Sequence, residues 1–480
     1  MRICMIAEGS YPYITGGVSS WIHSLIGNMP EHDFAIFTIG AQEKQRGQFR
    51  YKLPPNVSEI KESFLDSYLR ETGDWGKRFK LTAEQKQAFL SLLGGGGEVD
   101  WPGMFELLRS KQFLYAADFL MSKDFFDILT ELCRERYSRV PFTEMFWTVR
   151  SMVLPLFLTI RHDIPEADLY HSVSTGYAGV VGALAKHRYH RPLLLTEHGI
   201  YSREREEEII KADWVKGYFK DLWIEYFYKL SGCAYQYGDR IVTLFNRNRE
   251  IEIELGCDSD KIEIIPNGVL VSDYADLTPM PSEGGKVRIG AIVRVVPIKD
   301  IKTMIHAFAL AKQDVPNAEL YIMGPSNENP DYMEECANLV ASLQVQDVIF
   351  TGEVRIREYL GRMDFLLLSS ISEGQPLAVL EGMACARPFV TTDVGSCKEL
   401  LYGVEDGIGP CGFVVPVMHY EQMASAIVRL CRNRSLRETM GSNGLERAKR
   451  FYTQEKFIAS YRNVYRTIKE GSSWQASASN

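Results

Sequence analysis

At 480 residues the chain is long enough for two hydrophobic cores, so two domains are expected. Its 45% hydrophobic and 24% charged residues are those of an ordinary globular protein. A formal net charge of −8 with no long basic run argues against a nucleic-acid partner. The longest apolar run, residues 152–160, is well short of the ~20 residues a membrane span requires. The first eight residues read as a strand and lack the features of a signal peptide. Nine scattered cysteines show no C-x-x-C pair or zinc-like spacing, which fits a reduced, cytoplasmic protein.

Short apolar runs alternate with helical stretches, the pattern of an α/β protein with parallel sheets. Strands are expected at 3–7, 34–39, 168–172, 193–197, 240–244 and 261–265, and again at 287–293, 319–323, 348–351, 365–371, 388–392 and 412–415. The first strand runs into Glu8-Gly-Ser-Tyr-Pro-Tyr-Ile-Thr-Gly16-Gly17-Val18, ahead of a helix bearing Trp21, Ile22 and Leu25. Paired glycines allow backbone N–H groups to approach a phosphate, or simply make a tight turn.

Strand signals vanish over roughly 60–160. Residues 106–121 and 125–137 instead show helical periodicity with many aromatics, and 94–97 form a glycine break. This stretch reads as a helical insertion that serves packing or docks an acceptor or partner protein. Further on, Thr196-Glu-His198-Gly199 puts a histidine just past a buried strand, where open α/β sheets bind ligands. It could meet a substrate, or be a capping or core histidine.

Asp258-Ser-Asp260 resembles a metal-binding D-x-D, but its place before a strand favours a polar turn. Pro266-Asn-Gly268 reads as a structural turn. The proline- and glycine-rich residues 276–285 read as a linker, giving domains of 1–275 and 276–453.

The second domain opens with a strand leading to Arg294 and Lys299. These cations could converge on a diphosphate and neutralise a leaving phosphate, or form surface ion pairs. The loops at Gly324-Pro325 and at Gly352-Glu353-Val354 could receive a nucleobase through backbone contacts. The most informative stretch is Ser372-Glu373-Gly374-Gln375-Pro376-Leu377-Ala378-Val379-Leu380-Glu381. It predicts strand, glycine loop and helix, with Pro376 at the first helical position. The free N–H groups of that helix would form an anion site, with Glu373 beside it and Glu381 behind. One acid could hold hydroxyls near a reacting carbon and the other a diol farther along, which suits a phosphate-linked sugar. Residues 454–470 read as an amphipathic helix, and 471–480 as a polar, disordered tail.

In that order these elements resemble the family-four retaining glycosyltransferases of the GT-B fold. The match runs from the Gly16-Gly17 loop through His198, Arg294/Lys299 and Glu373–Glu381 to the C-terminal helix. The first 23 residues and the helical insertion are similar more narrowly to the PelF family of bacterial Pel exopolysaccharide systems. The resemblance implies two Rossmann-like domains facing a central cleft, bridged by the returning C-terminal helix, and closure that brings His198 to Glu373. It implies transfer of a hexose or N-acetylhexosamine from a UDP-sugar to a polysaccharide, with no metal.

By resemblance, Glu373 binds donor-sugar hydroxyls, Leu377 and Ala378 N–H groups take the diphosphate, and Glu381 holds the ribose. Arg294 and Lys299 stabilise the departing nucleotide, His198 contacts the sugar, and Gly16 and Gly17 border acceptor and phosphate. Gly374 and Gln375 stand where the family often has an aromatic residue and a further glycine. Pel membrane components are the implied partners, with recruitment to the inner face of the membrane. Another family-four transferase with a lipid or small-molecule acceptor, or a sugar-nucleotide-binding scaffold, are the alternatives.

Overall fold

Seven strands form the first sheet: β1 (Arg2–Glu8), β2 (Asp33–Gly40), β3 (Val57–Phe64), β4 (Leu169–Ser172), β5 (Leu193–Glu197), β6 (Arg240–Thr243) and β7 (Ile262–Ile264). The computed structural model describes residues 1–67, 75–94, 97–277 and 285–478. The strand order is β3-β2-β1-β4-β5-β6-β7, and the pairs from β3 through β6 are parallel. The second sheet has β8 (Val287–Ile292), β9 (Ala318–Met323), β10 (Val348–Gly352), β11 (Phe365–Leu368), β12 (Phe389–Thr392) and β13 (Gly412–Val415). Its order is β10-β9-β8-β11-β12-β13, with every pair parallel. Both orders are Rossmann-like and reverse direction once, between β1 and β4 and between β8 and β11. Strands β4, β5, β11 and β12 are buried at every residue; β11 is apolar throughout, whereas β4, β5 and β12 begin apolar and end on buried polar residues at their carboxyl ends.

The chain divides into two compact units. The first holds Met1–Thr243, Arg249–Glu263 and Asn463–Asn480, and the second Leu244–Asn248 and Ile264–Arg462. The second therefore begins before the boundary expected at 275. The physical reason is that Val269 is buried in its core, with Val271, Tyr274 and Leu277 packed against it. Of the expected linker, residues 278–284 lie outside the described residues, as do 95 and 96 of the glycine break.

Strand β3 occupies part of the stretch that showed no strand signal. It is an edge strand, and Glu59, Lys61 and Glu62 interrupt its alternation; charges of this kind protect an open edge. The helices that follow are Ala83–Leu93, Trp101–Leu108, Ala116–Leu120, Lys123–Glu135 and Phe142–Arg161. Starts are set locally: Thr82 and Gln85 make a capping box, and Ser122 accepts from the Phe125 N–H. The expected helix over 106–121 is split instead. Arg161 draws off the carbonyls of Leu108, Ser110, Phe113 and Leu114, while Asp118 accepts the Leu114 and Tyr115 N–H groups. An aromatic core, including Phe119 stacked on Phe157 at 5.3 Å, joins the block to the first unit.

Asp258 caps the turn Ser259–Lys261 by accepting the Asp260 N–H at 3.0 Å. At the C-terminus Phe457, Ile458, Tyr461, Val464, Tyr465 and Ile468 are all buried. The last helix, Gln454–Ala478, runs past the expected end at 470. Among the described residues, no helix is long and apolar enough to cross a membrane.

Candidate active site

In the second unit the informative residues gather at the switch point between β8 and β11. Ile371 N–H donates to the Ile298 carbonyl at 2.9 Å, and Ser369 Oγ to the Lys299 carbonyl at 2.8 Å, so the two strand-end loops are stitched together. Lys299 Nζ then reaches Glu373 Oε1 at 2.5 Å, and Ser370 Oγ donates to the same oxygen at 2.5 Å. Lys299 and Glu373 side chains are only 17% and 12% exposed, so this ion pair is poorly screened.

Arg294 is placed differently. It pairs with Glu328 at 2.7 Å, both well exposed at 54% and 41%. The two cations are thus tied to different acids and do not converge on one point in this state.

Behind Glu373 the helix Leu377–Ala384 has Pro376 as its cap and so begins one residue later than the sequence placed it. Pro376 at φ −72° leads directly into the helix, whose first N–H groups, those of Leu377 and Ala378, have no acceptor within it. Glu381 lies one turn further on. Burial pushes its carboxyl up to about 7. The turn Val271–Tyr274 packs against this helix.

Gln375 turns toward the protein interior. Its side chain is 8% exposed, and Oε1 accepts the Asn267 N–H at 2.6 Å. It pins the Pro266-Asn-Gly268 turn and lines a cavity of about 310 Å³ with Pro266, Glu399 and Tyr452.

The sequence reading missed Gly395. A Cβ there would sit 2.0 Å from the Gly374 carbonyl oxygen and 2.3 Å from that of Glu373, and its φ is +50°. With Ser396 N–H donating to the Gly374 carbonyl at 3.0 Å, this turn sets the height of the Glu373 loop. Gly352, at φ +70°, ends β10 with open space on its Cβ side and accepts the Gly324 N–H at 3.0 Å; Val354 packs on the core.

In the first unit Gly16 and Gly17 open the helix Gly17–Gly27, with no atom within 4 Å of where a Cβ would lie on either. The helix has no side-chain cap. His198 stands in the turn after β5, edge-on to Trp21 with ring centroids 4.7 Å apart. Burial lowers it to about 4, so its imidazole is neutral, and its Nε2 has no hydrogen-bond partner among the described residues. Nearby His171 is buried, held by Tyr465 and Thr196 at 2.8 Å each, and lowered to about 3 chiefly by burial.

Glu197, immediately before His198, is a second residue the sequence left unread. It accepts from Thr175 at 2.8 Å, Tyr235 at 2.7 Å and the Tyr201 N–H at 3.1 Å, fixing both ends of the histidine turn. Buried Glu252 lies beside it, and desolvation followed by that negative neighbour raises Glu252 strongly.

Residues 1–260 match DUF3492, a domain family of unknown function, and residues 286–433 match the glycosyl transferases group 1 family. The chain belongs to the DUF3492 family, and its second unit carries a group 1 glycosyltransferase domain. This glycosyltransferase is 27% identical over 319 residues to an uncharacterized glycosyltransferase of Methanocaldococcus jannaschii, covering 63% of the chain and 76% of that protein. Its fold is shared with sucrose-phosphate synthase of Thermosynechococcus elongatus (TM-score 0.62, 14% identity, 98% of this chain and 99% of that one). It is shared also with Anabaena HepE, solved with UDP (TM-score 0.60, 15% identity, 97% and 100%) and with UDP-glucose. The glycosyltransferase therefore has two Rossmann-like parallel-sheet units, as the GT-B enzymes do.

Proposed function

We propose that the protein moves a hexose or N-acetylhexosamine from a UDP-sugar to a growing polysaccharide with retention of configuration. The observation that carries this reading is the part-buried Lys299–Glu373 pair beside an open helix N-terminus, with Glu381 one turn behind. Glu373 holds donor-sugar hydroxyls near the anomeric carbon, and the Leu377 and Ala378 N–H groups take the diphosphate. Glu381 accepts from the ribose diol, and Gly352 and Val354 border the uracil. Lys299, joined by Arg294 once it leaves Glu328, stabilises the departing UDP. These groups supply the positive charge the leaving diphosphate needs, so transfer runs without a divalent cation.

As the bond from the anomeric carbon to the β-phosphate oxygen breaks, UDP takes the electron pair. The acceptor oxygen bonds on the same face, and its proton passes to the leaving phosphate. The neutral His198 imidazole contacts a sugar hydroxyl, and Gly16 and Gly17 border the acceptor. The HepE complexes make UDP the nucleotide to test first. The resemblance to PelF supports Pel exopolysaccharide as the product, made at the cytoplasmic face of the membrane with Pel membrane components as partners.

Calorimetric titration of UDP, GDP and ADP without metal, into wild type and Glu381→Ala, tests the donor pocket. UDP-selective binding weakened by the substitution is expected. Equal or absent binding of all three would overturn the reading. NMR of the first anomeric product then reads retention or inversion directly.

A further inference from the structure

The helical block carries an aromatic cavity that the donor chemistry does not use. Along the helix Phe142–Arg161, Met145, Val149, Met152, Val153 and Leu156 face the core. The opposite face shows Thr143, Trp147 and Ser151 at four-residue spacing. They line a cavity of about 340 Å³ with Trp214, Lys216 and Trp223. Trp147 is 49% exposed and Trp214 70%, so neither indole is needed to fill the core. Trp214 and Trp223 stand nearly perpendicular, with ring centroids 5.6 Å apart.

We propose that this cavity is a subsite for a neutral pyranose of the acceptor glycan, an inference that rests on the polysaccharide reading above. A pyranose has an apolar face of C–H bonds that matches an indole, and a rim of hydroxyls. Polar groups stand where the rim would lie: Thr143 and Ser151 hydroxyls, and the Glu144 carboxylate held by Lys216 at 2.7 Å and by the Tyr218 hydroxyl. A lipid chain or apolar peptide would cover the Glu144–Lys216 pair and strip its water without replacing those hydrogen bonds. Sugar hydroxyls replace them. The volume suits one or two sugar units, so the cavity grips a chain already several residues long.

The test titrates full-length protein with tetrasaccharides of glucose, N-acetylglucosamine and N-acetylgalactosamine, following tryptophan emission and heat, with UDP titrated in parallel. One tetrasaccharide is expected to shift the emission, and Trp214→Ala to weaken it about 10-fold, the loss of one stacking contact. Trp147→Ala is expected to act in the same direction. UDP binding and melting temperature should be unchanged in both variants. No emission change with any tetrasaccharide at ~10 mM, or the same change in the Trp147→Ala/Trp214→Ala double variant, would overturn the proposal. So would a response to dodecanoate with none to sugars, which would assign the cavity to an apolar ligand. Failure here with UDP binding intact leaves the transferase reading standing, whereas loss of UDP selectivity in wild type refutes that reading on its own.

Discussion

Glu381→Gln should separate nucleotide binding from folding in opposite directions. Burial holds the Glu381 carboxyl at about 7 against an ordinary 4.5, which disfavours its charged form by about 3 kcal/mol. A ribose diol donates two hydrogen bonds to a carboxylate and so binds the ionised form. UDP-glucose suits the assay because its diphosphate has no terminal group titrating near pH 6. Affinity should be flat above pH 8, fall about tenfold between pH 8 and 6, and about tenfold again by pH 5, while the bound carboxylate stays ionised. Calorimetry at pH 6 in two buffers of different protonation heat should count nearly one proton released per ligand.

The glutamine variant should bind weakly with no such slope. For stability the sign reverses. Because the folded value lies above the unfolded one, wild type loses stability as pH rises from 4.5 to 7. The variant should therefore be the more stable protein above pH 7, by up to about 3 kcal/mol, with no gain near pH 4. A variant that keeps wild-type affinity and slope would refute the placement of Glu381 at the ribose.

Removing the Gln375 side chain leaves the buried Asn267 N–H without an acceptor. Gln375→Ala should cost about 1–3 kcal/mol in urea unfolding and change nucleotide affinity little; a large loss of affinity with normal stability would return Gln375 to the donor. Gly395→Ala drives a methyl into the Gly374 and Glu373 carbonyls, and should cut turnover by about 100-fold through displacement of Glu373. Full activity in that variant would show that the loop has slack. In ¹⁵N-histidine spectra His198 and His171 should stay neutral at pH 5.5. Titration of His198 near 6.5 would mean its turn opens to water.

Strand β11 was legible in the sequence because burial on both faces leaves an unbroken apolar run, and β5 because it opens on three leucines. Edge strand β3 was not, since Glu59, Lys61 and Glu62 erase the period that marks a strand. At the site, Glu373, Pro376 and Glu381 could be read because strand, loop and helix start are consecutive in the chain. What residue type alone cannot give is the direction of a side chain. Gln375 turns inward to a backbone more than a hundred positions away, and Arg294 outward to Glu328. Nor can it give contacts made only by folding, such as Gly395 under the Glu373 loop or Glu252 against Glu197.

The formal charge of −8 counts every carboxyl as ionised. Burial pushes the carboxyls of Glu381 and of the neighbouring pair Glu252 and Glu197 toward their protonated forms. The native chain is thus less acidic than its composition, and melting it at pH 7 sheds protons into the solvent. Part of the heat absorbed in a thermal scan will therefore belong to the buffer: phosphate and Tris should report different unfolding enthalpies for the same protein.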